Sequence, residues 1–273
     1  MEFTKESIGQ FLEEEIYNKA LPQDKEIYKK ILSFLDLTTL EGADNTDKVV
    51  ALCKKARSYN KTNPSIPNVA AVCVYPTLVK TASQTLADDD ISIASVAGAF
   101  PSGQSPLQLR LEEVKYAINQ GADEIDMVIS RGKFLEGDYA FLEEEVMKHK
   151  AVCGDVHLKV ILETGELDSA ENIYRASKIA IGAGADFIKT STGKIQPAAT
   201  LEAAYVMLHA IKENYEETGK IIGFKPAGGI SEPEEAIKYY HLVKKILGEQ
   251  WLDKKYFRIG ASRLADKVYA KIT

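Results

Sequence analysis

The sequence predicts an α/β protein, a TIM-type (β/α)8 barrel entered through a short helical extension. Three observations carry this. Short apolar runs alternate with amphipathic stretches eight times in one unbroken series. No Pro- or Ser-rich linker divides the 273 residues, a length that suits a single barrel. The alternative, an open doubly wound sheet, would usually show a Gly-rich turn after its first strand, and none follows residues 34–37.

Taken in order, residues 4–32 read as helical and mostly charged, with Ile8, Phe11, Leu12 and Ile16 at helical spacing. Residues 1–32 are therefore expected to form an N-terminal helical extension, and 33–273 the barrel. The predicted strands are 34–37, 69–75, 91–96, 124–129, 156–163, 187–189, 221–225 and 257–260. Helical periodicity covers 47–59, 107–120, 140–152, 170–181, 201–215 and 233–244, and a last helix opens beyond Ser262 and Arg263.

Residues 117–126 echo residues 180–189. Both run from a helix end through Gly-Ala-Asp into a strand, and they place Asp126 and Lys189 at the same position of the fourth and sixth strands. Layers of a barrel interior are filled from alternate strands, so these two side chains should share a layer and face each other.

A net charge of -6 and a pI near 5.4 argue against nucleic acid as the main partner. Cys53, Cys73 and Cys153 form no CxxC pair, so neither a disulfide framework nor a zinc cluster is expected. The polar start and the lack of any run of about 18 apolar residues predict no leader, no membrane partner and a cytoplasmic location. His149, His157, His209 and His241 make no HxH or HExxH pattern, which disfavours metal chemistry.

Strands covered on both faces are normally apolar, and an ionised group there is costly unless paired or functional. Asp36, Asp126, Lys189 and Lys225 break that rule on the first, fourth, sixth and seventh strands. Two lysines and carboxylates in a partly dry pocket suit amine chemistry on a carbonyl. A neutral lysine attacks, and the iminium it forms is an electron sink for the adjacent C–C bond. A second cation nearby favours the neutral amine, and a carboxylate moves protons. Gly-containing turns follow the sixth strand (Gly193, Lys194) and the seventh (Gly228, Gly229). The eighth strand ends Gly260-Ala261-Ser262 at a helix start. Turns after the last strands are the usual phosphate site of such barrels.

The sequence resembles the deoxyribose-phosphate aldolase family of class I, Schiff-base aldolases. The matching stretches are 35–40, 71–76, 121–128, 158–167, 186–194, 223–230 and 257–262. The most specific are Lys-Thr-Ser-Thr-Gly-Lys from Lys189 and Phe-Lys-Pro-Ala-Gly-Gly-Ile from Phe224. The resemblance implies a lyase of deoxyribose phosphate catabolism that reversibly cleaves 2-deoxy-D-ribose 5-phosphate into D-glyceraldehyde 3-phosphate and acetaldehyde, with no cofactor and no metal. By motif position, Lys189 is then the Schiff-base lysine, Lys225 the neighbouring cation and Asp126 the proton-transfer acid. Gly193, Lys194, Gly228, Gly229, Gly260 and Ser262 take the phosphate, and Asp36 and Cys73 line the mouth. Relatives are often dimers, so a homodimer is the assembly it suggests.

Two departures stand out. Many relatives end in a flexible tail closing on a proton-transferring Tyr, whereas this sequence ends Lys271-Ile272-Thr273, so that help is not expected. Arg263 stands where a second Ser is familiar, either making the phosphate pocket more basic or pointing to solvent. Two rivals remain: a phosphosugar isomerase using Glu163, at the end of the fifth strand, as base, and a non-catalytic sugar-phosphate-binding barrel.

Overall fold

The computed structural model describes residues 3–273, so Met1 and Glu2 lie outside it. The parallel strands are β1 (Leu35–Thr38), β2 (Ala71–Val74), β3 (Ser92–Ala97), β4 (Glu124–Val128), β5 (His157–Ile161), β6 (Phe187–Lys189), β7 (Gly223–Lys225) and β8 (Ile259–Ala261). They run β7-β6-β5-β4-β3-β2-β1-β8. The two ends meet. Phe224 N–H donates to the Tyr256 carbonyl at 2.8 Å and Gly260 N–H to the Pro226 carbonyl at 2.9 Å, which closes the barrel. All eight predicted strands are present, their ends shifted by no more than two residues.

The helices are α1 (Lys5–Leu12), α2 (Lys25–Ser33), α3 (Thr46–Ala56), α4 (Val79–Thr85), α5 (Leu107–Asn119), α6 (Arg131–Leu135), α7 (Tyr139–Cys153), α8 (Ala170–Gly182), α9 (Leu201–Thr218), α10 (Pro233–Leu247) and α11 (Leu264–Ile272). None is long and apolar enough to cross a membrane.

Residues 4–32, read as helical, form two helices with a break between them. After α1 the chain makes one π turn, Glu13–Tyr17, and leaves helical geometry at Asn18. Pro22 disfavours helix in the residue before it, and α2 restarts where Asp24 accepts from the Ile27 N–H. Ile8, Leu12 and Ile16 are buried as their spacing implies. α1 packs on α9, and α2 on α10 and α11, so the extension adds to the outer helical layer.

The sequence echo is a structural repeat. Gly121 and Gly184 have φ of +102° and +101°, the left-handed turn that only glycine makes cheaply. The aspartates that follow each stitch the new strand to its predecessor. Asp123 accepts from the Ile93 N–H and Asp186 from the Leu158 N–H, both at 2.8 Å. Asp126 and Lys189 therefore leave their strands at equivalent heights. Register also sets Asp126 beside Lys159, and Lys189 beside Lys225.

Candidate active site

The interior of the barrel holds a cluster of ionisable groups, every one of them buried. Asp126 is its hub. One carboxylate oxygen accepts from Lys189 Nζ and from Lys225 Nζ, each at 2.7 Å, and the other accepts from Lys159 Nζ at 2.9 Å. The Lys189 and Lys225 nitrogens thus share one oxygen, which keeps them no further apart than twice that bond length. Around this hub, Lys225 also donates to Asp36, and Lys159 to Glu124. Arg258 spans Asp36 at 2.8 Å and Glu124 at 2.7 Å.

Burial opposes charge on each group, and the opposite charges decide the outcome. The Asp126 carboxyl is pushed up by burial but held well below the carboxylate range by Lys159, Lys189 and Lys225. Asp36 and Glu124 are lowered against burial in the same way, by Lys225 and Arg258 and by Lys159 and Arg258. Burial works against the cations Lys159, Lys225 and Arg258 too, and the facing carboxylates outweigh it, so all three are raised. Lys225 is therefore the fixed cation of the pair. Asp126 rests as a carboxylate, so it can act as an acid only after first taking a proton.

Above the cluster a cleft of about 820 Å³ opens at the C-terminal ends of the strands. Lys189 lies on its floor, and neither Lys159 nor Lys225 lines it. The wall comes from the turns named in the sequence: Gly193, Lys194, Gly228, Gly229, Gly260 and Ser262 all border the cleft. Gly193, Gly228 and Gly229 have φ of +78°, +85° and +83°, and among the described residues their N–H groups donate to no protein acceptor. Ser262 and Arg263 precede α11, so a helix N-terminus also faces the opening. Unpaired N–H groups beside a helix N-terminus form a cradle for an anion. Gly260 serves packing as well, because a Cβ there would lie 2.8 Å from the Ala227 Cβ and 3.3 Å from the Lys225 Cε. Arg263 also borders the cleft, and its side chain is exposed to solvent.

Two expectations need correction. Asp36 and Cys73 do not line the mouth: both are fully buried. Asp36 sits below the opening because Lys225 and Arg258 hold its carboxylate inside the barrel. Cys73 packs with Leu40, Ala94 and Val96, and burial pushes its thiol up, away from the reactive thiolate. Sequence reasoning also missed Lys159, Glu124 and Arg258, half of the cluster's scaffold. The signal was there: Lys159 interrupts an apolar run as plainly as Lys189 does. Among the described residues no group of His, Cys, Asp or Glu has the arrangement to hold a metal ion.

Fold and site define a barrel with a lysine–carboxylate centre beneath a cleft bordered by glycine turns. Residues 30–241 match the DeoC/LacD family aldolase model. Over 254 residues the chain is 45% identical to the deoxyribose-phosphate aldolase of Homo sapiens and 46% to that of Mus musculus, covering 89% of this chain and 80% of each relative. The deoxyribose phosphate aldolase of Aeropyrum pernix, described as tetrameric, shares the fold with a TM-score of 0.71 at 22% identity, over 98% of this chain and 97% of its own. The chain belongs to the DeoC/LacD aldolase family and is an aldolase, a carbon–carbon lyase.

Proposed function

We propose that the chain is a class I aldolase that reversibly cleaves 2-deoxy-D-ribose 5-phosphate to D-glyceraldehyde 3-phosphate and acetaldehyde through a Schiff base on Lys189. One observation carries the reading. The cluster sets four basic side chains, Lys159, Lys189, Lys225 and Arg258, against three carboxylates, Asp36, Glu124 and Asp126. Giving up one proton brings the set to neutrality, and the lysine open to the cleft is Lys189. Lys225 stays charged beside it, held by Asp36 and Asp126.

The chemistry then balances without any other reagent. The neutral Lys189 amine adds to the aldehyde carbon of the open-chain sugar. The carbinolamine loses water to give an iminium, with Asp126 passing the protons. Removal of the proton from the C3 hydroxyl breaks the C2–C3 bond, and the electron pair moves into the iminium to give an enamine. Glyceraldehyde 3-phosphate leaves, C2 takes a proton, and water releases acetaldehyde. The Gly193, Gly228 and Ser262 walls hold the phosphate, with Lys194 and Arg263 as cations on the rim.

The isomerase alternative needs a free Glu163. Its carboxylate is buried and already accepts from the Thr192 N–H at 3.2 Å. The direct test is incubation with 2-deoxy-D-ribose 5-phosphate. Equal release of acetaldehyde and glyceraldehyde 3-phosphate is expected, and a product of unchanged mass would favour the isomerase. A cytoplasmic location and a homodimer are part of the proposal. Sedimentation velocity decides the second against the tetramer of the archaeal relative.

A further inference from the structure

We infer that Glu163 is a positioning residue for the anion-binding loop that follows Lys189, acting through Thr192. The inference rests on the phosphate site proposed above and adds a residue that does not touch the substrate.

Glu163 follows β5 and is fully buried. Its backbone is left-handed, φ +56° and ψ +61°, a conformation that is costly for any residue but glycine and persists only where surrounding contacts over-determine it. The hydrogen bonds to its carboxylate all come from one residue of that loop. The two carboxylate oxygens accept from the Thr192 N–H at 3.2 and 3.3 Å, and one also accepts the Thr192 hydroxyl. That hydroxyl oxygen in turn accepts from the Lys194 N–H at 3.1 Å. One carboxylate therefore fixes both sides of the Gly193 turn.

Neighbouring contacts brace the clamp. Thr164 N–H donates to the Thr190 carbonyl at 2.9 Å. Gly165 lies so close to the loop that a Cβ would fall 2.1 Å from the Pro197 carbonyl oxygen. Arg131 stands 3.7 Å from Glu163 and pairs with Glu166 at 2.5 Å, tying in the chain beyond β4. Thr192, Gly193 and Lys194 border the cleft, and Glu163 does not. Its influence on the substrate passes through the aim of the Gly193 and Lys194 N–H groups.

Glu163→Gln keeps the size but presents one acceptor where two donors arrive. The ratio of kcat/KM for 2-deoxyribose 5-phosphate to that for unphosphorylated 2-deoxyribose should fall about tenfold, or about 1.4 kcal/mol, mostly through KM. Turnover of 2-deoxyribose should persist, and inorganic phosphate should inhibit it more weakly. Thr192→Val should lower the ratio by the same factor, with no further loss in the double variant. Equal losses on both substrates, or an unchanged ratio, would overturn the assignment. Should Glu163→Gln fail to fold, Thr192→Val is compared with Thr192→Ser, which keeps the hydroxyl and should keep the ratio. Equal ratios in those two would also overturn it. Borohydride trapping with acetaldehyde on the unaltered enzyme separates the two layers. Without an adduct the Schiff-base reading fails, while the change in inorganic phosphate affinity still decides the clamp.

Discussion

Two buried ionic clusters can be set side by side. One is the barrel interior around Asp126. The other lies in the helical layer, where Arg110 of α5 pairs with Glu145 of α7 and Glu145 accepts from Ser130 N–H at 2.9 Å and Ser130 Oγ at 2.7 Å. Both are almost wholly out of water. In the helical layer one cation meets one anion, and no charge is left over. Arg110 Nε and His149 Nε2 find no hydrogen-bond partner there. In the barrel the charges are well bonded but the cations outnumber the anions, and the surplus lies beside an opening. Burial alone therefore does not mark a functional cluster. An unbalanced proton next to a cleft does.

The largest expected effect separates the clusters outright. Asp126→Asn should lower kcat by about 10²–10⁴-fold, the usual worth of a positioned proton carrier. Glu145→Gln should leave Arg110 buried and uncompensated, costing about 3–5 kcal/mol of stability, with kcat/KM per folded molecule unchanged. Denaturant unfolding and active-site-normalised kinetics read both. A comparable loss of kcat in Glu145→Gln would dissolve the distinction.

Next in size is the pH response of stability. His149 Nδ1 lies 2.7 Å from the Glu145 carbonyl, so it carries the proton and donates it. Burial first, and then Arg110, pushes the imidazole down to about 4. In the pH range between that value and the unfolded value of about 6.5, the unfolded chain binds the extra proton. Stability is then lost as pH falls through this window, by roughly 3 kcal/mol in all. His149→Phe should abolish that loss. The barrel carboxylates Asp36, Glu124 and Asp126 are lowered, so their contribution is present above their unfolded values of about 4. It is lost only as pH falls further, toward the lowered native values. Unfolding free energy measured against pH should show two separate declines, and a single one below pH of about 4 would contradict the His149 assignment.

Smaller in size is the effect of the fixed cation. Lys225→Leu removes the cation that shares the Asp126 oxygen with Lys189, and kcat should fall about tenfold while borohydride still traps Lys189. An unchanged kcat, or loss of the adduct, would break the division of labour between the two lysines. Smallest of all, prolonged chelation should leave turnover unchanged, and activity lost and then restored by zinc would reverse the metal-free chemistry.

Much of the fold was legible because each barrel strand is a short apolar run, and the glycine turns were legible because φ near +80° at Gly193, Gly228 and Gly229 leaves little choice of residue. Asp126 opposite Lys189 was legible from the echo of 117–126 in 180–189. Helix α4 was not read: its seven residues, rich in Ser, Thr and Ala, make barely two turns and show no clear apolar stripe. Depth within the barrel was not readable either. Asp36 and Cys73 stand on strands that end at the mouth, but strand stagger sets how far below it a side chain points, and register is a tertiary property. Lys159, Glu124 and Arg258 escaped for a related reason, since a charged residue inside an apolar run gives no sign of which partners will neutralise it.

The central claim is that Lys189 alone among the barrel lysines forms the imine. Borohydride reduction of the enzyme with acetaldehyde, followed by peptide mapping, tests it directly. The account predicts one two-carbon adduct on the peptide carrying Lys189, and none in Lys189→Leu at any pH. An adduct on Lys159 or Lys225, or no adduct in the unaltered enzyme, would contradict it.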